Sequence, residues 1–398
     1  MRTHRVIGLA AILLATVATV SVGQSAAASP AFNAGSMARA CSAARPGSAA
    51  CLAWVRTDIA PLTASQAAAP QATVAGLSPA SLQSAYKLPS ASAGGGQTVA
   101  IVDAFNDPTA EADLATYRSQ FGLPACTTAN GCFRKVNQNG SSTSLPSTDA
   151  GWALEISLDL DMVSAICPNC HILLVEATSS TLGNLGTAVN RAATMGANAI
   201  SNSYGGSDTS DNSTTAYNHP GVAVTASSGD NGFGVSFPAS SRFVTAVGGT
   251  TLRTASNSRG WTETAWNGAG SGCSRFNTQL SGQASVGTGC SRRAVADVSA
   301  VADPATGVAV FDSTPFQGRS GWFVVGGTSA SSPIIASVFA LAGNARSINN
   351  NFPYSHTGSL FDVTSGSNGS CSPSQLCTAR AGWDGPTGLG TPNGTGAF

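Results

Sequence analysis

Ser329 stands in a sequence context that suits nucleophilic catalysis. It lies in the segment GGTSASSP, separated by Thr328 from two glycines and at the start of an apolar stretch with helical spacing. A serine on such a turn lies beside backbone N–H groups at the positive end of a helix, and these groups can stabilise a developing oxyanion. The same pattern also fits an ordinary N-cap. A nucleophilic serine needs a base as well, which the rest of the sequence must supply.

Histidine, the usual base for a serine nucleophile, is scarce in this chain. There are four, His4, His171, His219 and His356. His4 falls in the charged start of the N-terminal segment, before its apolar run, His171 in a predicted strand, and the other two in loops. None of them has the setting that would direct its ring toward Ser329. A histidine-based hydrolase is therefore poorly supported and stays as an alternative.

Carboxylates are better placed than histidines. Glu155 and Asp159 stand four residues apart in the segment GWALEISLDLDMVSAIC, among large apolar side chains. This segment fits either a helix or a strand, and both conformations put the two acids on one face. A solvated acidic face is the alternative. Asp230 follows an apolar strand in SSGDNGFG, where open parallel sheets place their sites, although a plain Asp-Asn-Gly turn also fits.

Alternating strands and helices must position these side chains. Apolar runs predict strands over 98–103, 171–177, 197–202, 221–227 and 243–247, and helical spacing predicts helices over 108–121, 182–195 and 328–342. Alternation of this kind indicates an α/β fold with a mostly parallel sheet and helices on both faces. We expect a single large catalytic domain.

The composition excludes several classes of protein. The 398 residues include 19 basic and 19 acidic side chains, so the formal net charge is zero. This balance gives no electrostatic reason to expect nucleic acid or an anionic membrane as a partner. Charged residues make up 10% and hydrophobic residues 42%, which argues against disorder.

The N-terminus has the pattern of a secretory signal peptide. Arg2 and Arg5 precede an apolar run over 6–22, and three alanines follow before Ser29. We predict a signal peptide over 1–28 and a secreted, extracellular protein without a membrane anchor. A short propeptide-like or linker region, rich in alanine and serine, is predicted over 29–76.

The ten cysteines form pairs that are close in sequence. The pairs are Cys41 with Cys51, Cys126 with Cys132, Cys167 with Cys170, Cys273 with Cys290, and Cys371 with Cys377. In an exported protein, five short-loop disulfides are the natural interpretation. The CxxC spacing of the third pair could also indicate a redox motif or half a zinc site, but no second CxxC or paired histidine lies near it.

Several ordered motifs together carry a family resemblance. They include GLSPASLQSAYKLPS, VAIVDAFNDPTAEADLATYRSQFGLP, ISNSYGG, SSGDNG and GGTSASSP, and they extend over 77–398. In this order they resemble the sedolisin family of serine-carboxyl peptidases (peptidase family S53). The resemblance implies a subtilisin-like fold and a sedolisin-like peptidase domain over 77–398.

The resemblance also implies roles for individual residues. Ser329 matches the nucleophile, Glu155 its general base, and Asp159 the acid that orients Glu155. Asp230 matches the aspartate of the oxyanion site. Asp103 lies near the position where subtilisins keep a catalytic aspartate, but the family pattern gives it no catalytic part, so we expect a structural carboxylate.

These roles imply a secreted endopeptidase that cleaves polypeptides through an acyl-enzyme. Asp230 can donate to an oxyanion only when it is protonated, and an unperturbed aspartate has a pKa of about 3.9, so we expect activity in acid. We expect a monomer, with Ser201–Gly206 binding an extended substrate by strand addition. A catalytically silent binding protein on the same fold is the alternative.

The C-terminal stretch resembles the calcium loop of the family. By position, Asp362 and Asp384 would supply carboxylates, and Val363, Arg380 and Gly382 would supply backbone carbonyls. Such an oxygen-only set suits one structural Ca²⁺ better than zinc. An ordinary loop rich in glycine and aspartate is the alternative, and no other cofactor is expected.

Overall fold

Nineteen strands and seven helices make up the regular structure of the described residues. The computed structural model describes residues 1–2, 36–69, 72–213 and 215–398. The strands are β1 (Met37–Arg39), β2 (Ala50–Cys51), β3 (Trp54–Arg56), β4 (Thr98–Ala104), β5 (Phe133–Asn137), β6 (His171–Ala177), β7 (Ala199–Asn202), β8 (Tyr204–Ser207), β9 (Ala223–Ser227), β10 (Ser236–Phe237), β11 (Thr245–Thr254), β12 (Trp261–Ala265), β13 (Gly272–Cys273), β14 (Ala294–Val295), β15 (Val298–Val301), β16 (Val308–Phe316), β17 (Arg319–Gly326), β18 (Leu360–Phe361) and β19 (Thr391–Pro392).

The helices lie between residues 64 and 342. They are α1 (Ala64–Ala67), α2 (Pro79–Ala85), α3 (Ala110–Gln120), α4 (Ala150–Ile166), α5 (Leu182–Thr194), α6 (Ser281–Val286) and α7 (Thr328–Ala342). The helices predicted over 182–195 and 328–342 are confirmed to within one residue. The segment that fitted either a helix or a strand is the helix α4.

The largest sheet is mostly parallel, as predicted. Its strands lie in the order β12-β11-β9-β7-β4-β6-β5, and β15 pairs with β11. Every pair in it is parallel except β11 with β12 at one edge. Its central strands are continuous apolar runs, because a sheet covered on both faces buries consecutive side chains. Helix α5 packs against β4 and β6, and α7 packs against β7 and β9.

Helix α4 is buried around its whole circumference. All residues from Gly151 to Ile166 are buried, and the helix packs against α7, α3, β4 and β16. A helix with apolar residues on every side belongs in an interior, which explains why its sequence shows no clear amphipathic period. The Asp149 side chain caps its first turn by accepting from the N–H groups of Gly151 and Trp152.

A glycine determines where α7 begins. Gly327 has a φ of 99°, a left-handed conformation that favours glycine. A Cβ atom built on this residue would lie 2.0 Å from the Leu52 carbonyl oxygen. The chain therefore turns sharply out of β17 and into α7, which puts Ser329 in the first turn of the helix.

The N-terminal segment forms two small antiparallel sheets with later parts of the chain. One has the order β1-β3-β17-β16, and the other has the order β10-β8-β2. Contacts between residues group 34–398 as one unit. The boundaries predicted at residues 28 and 76 remain predictions, and most of the predicted signal peptide lies outside the described residues.

The cysteine pairing agrees with the sequence. All five predicted disulfides are formed, including Cys167–Cys170. Separately, no helix within the described ranges is both long and apolar enough to cross a membrane.

Candidate active site

Ser329 is fully buried in the first turn of α7. Its hydroxyl donates to the Ser203 carbonyl oxygen over 3.1 Å and accepts from the Leu52 N–H over 3.0 Å. The backbone N–H of Ser329 points to the Leu52 carbonyl oxygen, 3.3 Å away. The hydroxyl and the backbone N–H therefore face the same short stretch of chain.

Glu155 lies beside Ser329 in an apolar interior. The residue is fully buried, and neither carboxyl oxygen has a hydrogen-bond partner among the described residues. Burial raises the pKa of Glu155 well above its usual value, and the charges of Asp159 and Asp103 add to this effect. The Ser329 hydroxyl is near enough to lower the same pKa in part. An unpartnered carboxyl next to a hydroxyl can act as a proton acceptor.

Asp159 follows Glu155 by one helical turn and is held by a serine. The Ser203 hydroxyl donates to its carboxyl group, with distances of 2.7 and 2.8 Å to the two oxygens. Burial is the main cause that raises the pKa of Asp159, the charge of Asp103 adds to it, and the Ser203 bond lowers it. Sequence reasoning missed Ser203, although it lies within the segment proposed to bind substrate.

Asp230 reaches the same place from the loop after β9. Its Oδ1 accepts from the Thr328 N–H over 2.8 Å and from the Thr328 hydroxyl over 2.7 Å. Its Oδ2 is buried and has no partner among the described residues. Burial raises the pKa of Asp230 to about 7, against the opposing effect of the Thr328 bonds. The free oxygen can therefore carry a proton and donate it in a hydrogen bond. Thr328 was also missed from the sequence.

Asp103, at the end of β4, joins the same cluster. Both of its carboxyl oxygens are buried without a hydrogen-bond partner in the described part of the chain. Burial and the charge of Glu176 raise its pKa to about 8. Its own charge raises the pKa of Glu155 and Asp159, so it stands close to both acids.

The three described histidines lie elsewhere. His171 is exposed at the start of β6. His219 bonds to the Ala216 carbonyl, and His356 bonds to Phe352 and Ser355. None of these contacts involves a member of the Ser329 cluster. The chemistry of this site therefore rests on carboxyl groups.

The proposed calcium residues also come together. Asp362 accepts from the Gly382 N–H over 2.9 Å, and Asp384 accepts from the Arg380 N–H over 3.1 Å. Burial raises the pKa of Asp384 to about 7, and the charge of Asp362 contributes. Val363 is buried next to Asp362.

Two nearby carboxylates joined by loop backbone fit an oxygen-loving cation. Within the described ranges, however, no three histidine, cysteine, aspartate or glutamate side chains gather as a metal-binding group. Backbone carbonyl oxygens would therefore have to complete the set of ligands around a bound cation.

A family model matches the part of the chain that contains this site. Residues 135–355 match the model of the subtilase family. This range includes Glu155, Asp159, Asp230 and Ser329.

Two curated relatives match most of the chain. Kumamolisin from Bacillus sp. (strain MN-32) is 32% identical over 372 residues, which cover 83% of this chain and 64% of the relative. Sedolisin from Pseudomonas sp. (strain 101) is 29% identical over 366 residues, which cover 80% of this chain and 60% of the relative. The chain thus spans roughly three-fifths of the length of these relatives.

A solved structure has a similar backbone. Pseudomonas sedolisin, complexed with two molecules of pseudo-iodotyrostatin, superimposes with a TM-score of 0.67 and 28% sequence identity. The match covers 81% of this chain and 96% of that structure. The expected subtilisin-like fold is confirmed.

Proposed function

The chain belongs to the sedolisin family of serine-carboxyl peptidases, and we propose that it is an endopeptidase that hydrolyses polypeptides as a monomer through an acyl-enzyme. The observation that supports this function is the convergence of the Ser329 hydroxyl with the buried carboxyl groups of Glu155, Asp159 and Asp230. A nucleophile, a base and an oxyanion donor are the groups that acyl transfer requires.

In the proposed mechanism, Ser329 Oγ attacks the carbonyl carbon of the substrate. Glu155 takes the hydroxyl proton and later gives it to the leaving amine. Asp159, held by the Ser203 hydroxyl, orients Glu155 and shares the negative charge of the pair. The Ser329 N–H and a protonated Asp230 Oδ2 donate to the oxyanion.

The oxyanion donor of this mechanism favours acid. Glu155 has to be ionised when it accepts the proton, and Asp230 has to be protonated when it donates. The pKa of Asp230 is raised to about 7, so its donor is present below that pH and is lost above it. We propose that hydrolysis is fastest in acid and falls as the pH rises through the neutral range.

Two further properties belong to this proposal. The signal-peptide pattern over 1–28 and the five disulfides support export to an oxidising, extracellular environment. Asp362 and Asp384, with the carbonyls of Val363, Arg380 and Gly382, would hold one Ca²⁺. The ion would supply positive charge that offsets the two carboxylates and would join their loops.

The direct test replaces the nucleophile and the base. We expect Ser329→Ala and Glu155→Gln to lower the rate of casein hydrolysis in acid by at least about a thousandfold, because both act in the bond-making step. Glu111→Gln makes the same chemical change in α3, where the carboxylate accepts from Thr128, and should leave the rate unchanged. Full activity of either active-site variant, or a rate that is highest above about pH 8, would contradict the proposal.

A further inference from the structure

Helix α4 carries a second acidic face, opposite the one that contains the catalytic acids. Ser157 and Asp161 stand four residues apart, and each follows a member of the catalytic acid pair by two residues. Two residues correspond to about 200° around an α-helix, so the two pairs lie on opposite sides of α4. The catalytic pair faces Ser329, and the other pair faces a part of the interior that the proposed mechanism does not use.

Four buried aspartates come together on this second side of the helix. They belong to α4 itself, to the loop after β4, to α3 and to β16. Burial raises the pKa of the aspartate in α4 well above its usual value, and the charges of the other three add to this effect. In the order of those elements, we call them the aspartate cluster: Asp161, Asp107, Asp113 and Asp312.

Direct hydrogen bonds join α4 to two of the neighbouring elements. Asp161 Oδ2 accepts from the Phe311 N–H of β16 over 2.9 Å. The Ser157 hydroxyl donates to Asp107 Oδ2, in the loop after β4, over 3.3 Å. The side of the helix that lies away from Ser329 is therefore held in place through carboxyl groups.

One threonine hydroxyl connects two members of the aspartate cluster. Thr109 Oγ1 lies 3.1 Å from Asp107 Oδ1 and 2.6 Å from Asp113 Oδ2. A hydroxyl group has a single hydrogen, so a full hydrogen bond can form to only one of these oxygens at a time. If both carboxyl groups were ionised, the other contact would bring two oxygens together without a hydrogen between them. A proton on either aspartate removes this conflict.

Asp312 provides a second place for a proton. Its Oδ1 accepts from the Thr314 N–H over 2.8 Å, but its Oδ2 is buried and has no hydrogen-bond partner among the described residues. Burial raises the pKa of Asp312 to about 8, and the charge of Asp107 adds to this effect. A buried carboxylate oxygen without a partner is costly, and protonation removes its charge.

Few positive charges are available to balance the aspartate cluster. Within the described ranges, none of its four members takes part in a salt bridge. Lys135 pairs with Glu176 over 3.1 Å, and Arg118 donates to two backbone carbonyls and a serine hydroxyl. Helices α2 and α7, which also pack against α4, contain no charged residue. Protons must therefore neutralise most of the cluster. The titratable groups around it are Tyr117 and Arg118 from α3, Lys135 from β5, Glu176 from β6 and, toward the catalytic side, Asp103 from β4.

Strand β16 connects this second side of α4 to the nucleophile. It pairs with β17 in antiparallel register, with Val308 opposite Val325. Strand β17 ends at Gly326, and the chain then turns into α7, whose first turn contains Ser329. The bond from β16 to Asp161 therefore fixes the helix that carries the catalytic acids relative to the strands that lead to the nucleophile.

We propose that Asp161 is a positioning residue and that the aspartate cluster is an acid-dependent lock, which holds α4 on β16 and thereby keeps the catalytic acids beside Ser329. The catalytic part of this inference rests on the proposed function. In acid the cluster carries protons and the lock is closed. As the pH rises through the neutral range, the cluster loses protons, and repulsion between its carboxylates moves α4 away from β16. The oxyanion donor Asp230 loses its proton without any such movement.

Near-ultraviolet circular dichroism can follow the lock without any hydrolysis. Trp152 of α4 lies between Phe105 and Tyr204, with ring centroids 6.3 and 6.4 Å away, so its signal responds to a shift of the helix. The measurement uses Ser329→Ala, which cannot digest itself, at graded pH from about 4 to about 9. We expect the signal to decrease as the pH rises, with a midpoint in the neutral range.

Removal of one charge from the cluster should move this midpoint. Asp161→Asn, added to Ser329→Ala, keeps an acceptor for the Phe311 N–H but cannot ionise, so the midpoint should rise by about one pH unit. Asp312→Asn should move it in the same direction, which keeps the lock testable if one of the two variants does not fold. An unchanged midpoint in the folded variants would overturn the lock.

A matched control lies outside the cluster. Asp208→Asn makes the same chemical change in a carboxyl group that accepts from the Ser274 hydroxyl and the Arg275 N–H. It should leave the midpoint of the circular dichroism change where it is in Ser329→Ala. A shift as large as that of Asp161→Asn would show that any lost carboxylate has this effect, and would overturn the assignment to the cluster.

Hydrolysis of a peptide substrate at about pH 4 tests the positioning role of Asp161. Asp161→Asn keeps the bond to β16 and should have a kcat near that of the wild type. Asp161→Ala removes the acceptor of the Phe311 N–H and should lower kcat at least about tenfold with little change in KM, because the catalytic acids shift while β8 stays in place. Equal kcat values in the two variants, per folded molecule, would overturn the positioning role.

The two measurements separate this inference from the proposed function. Hydrolysis that depends on Ser329, together with an unshifted midpoint, would overturn the lock and leave the proposed function standing. A wild type that hydrolyses no peptide would overturn the proposed function and the positioning role, and a shifted midpoint would then still support the lock. Absence of both hydrolysis and a shift would overturn both.

Discussion

Asp230 and Glu155 need opposite protonation states when Ser329 attacks. Burial raises the pKa of both groups, but their surroundings differ. Two bonds from Thr328 satisfy one oxygen of Asp230 and leave the other free. Glu155 has no hydrogen-bond partner within the described ranges and faces the Ser329 hydroxyl and the charge of Asp159. One acid is therefore arranged as a donor and the other as a proton acceptor.

Replacing Asp230 by asparagine separates these two requirements. The amide of Asp230→Asn donates at every pH, whereas the wild-type carboxyl group loses its proton as the pH rises through about 7. We expect the alkaline fall of kcat/KM to move to higher pH in the variant. A pH profile of kcat/KM with a peptide substrate measures this shift.

A matched control is available at the surface. Asp58→Asn makes the same change in an exposed group that pairs with Arg56, and it should leave the profile unaltered. An alkaline fall at the same pH in Asp230→Asn and the wild type would argue against Asp230 as the donor.

At the level of elements, α4 and α7 carry the catalytic candidates toward each other. Helix α4 presents Glu155 and Asp159 one turn apart, and α7 presents Ser329 in its first turn. The two helices pack together, and α4 is enclosed on all sides. Because close-packed interiors resist sliding, the position of these acids depends on the start and end of α4.

The cap of α4 therefore has a measurable effect. Asp149→Ala removes the acceptor of two N–H groups, those of Gly151 and Trp152, and should lower the free energy of unfolding by about 1 kcal/mol. Urea denaturation measures this loss. Asp149→Asn keeps an equally good cap, so its unfolding curve should match that of the wild type. Equal destabilisation by both variants would show that the cap is not the cause.

On the scale of the whole molecule, burial of carboxyl groups favours the folded state in acid. Asp103 and Asp312 have pKa values raised to about 8, and Glu176 has one raised to about 7. Burial is the main cause in each case. Asp312 also faces the charges of Asp107 and Asp113. These groups are neutral in acid and would have to hold charge in a low-dielectric interior at higher pH.

The raised pKa values of these buried groups determine how the stability of the folded protein changes with pH. A group whose pKa is higher in the folded than in the unfolded state contributes stability below its unfolded pKa, and this stability is lost as the pH rises through the folded value. The pH window over which this stability is lost therefore extends from about pH 4 to about pH 8. We expect the Tm to be several degrees lower at the upper end, since each kcal/mol shifts it by about 2–4 °C.

Calorimetry at both ends of this window checks the expectation. Asp312→Asn, which cannot ionise, should reduce the difference between the two Tm values. A Tm that stays constant or rises toward alkaline pH would contradict it.

Removal of Ca²⁺ provides a second test at this scale. A cation that binds the folded protein but not the unfolded chain stabilises it by mass action. We therefore expect a chelator to lower the Tm of the wild type, and addition of Ca²⁺ to restore it. In Asp384→Asn, which weakens the proposed carboxylate pair, the chelator should have little effect. An unchanged wild-type Tm would count against the site.

Local patterns in the sequence determined the central strands of the largest sheet and three of the longer helices. The strand over 171–177 and the helix over 328–342 begin and end as predicted, because apolar periodicity and glycine turns act over a few residues. The disulfides were predictable for a related reason, since each joins cysteines that are near in sequence. The family resemblance correctly indicated the subtilisin-like fold.

Only the tertiary structure decided what meets at Ser329. Whether α4 is a helix or a strand was open, because its apolar residues fit both periods and burial on all sides removes the amphipathic signal. Ser203, Thr328 and Leu52 act through bonds to groups that are 44, 98 and 277 residues away in the sequence. Such bonds depend on how the sheet and helices pack, and no local spacing encodes that packing.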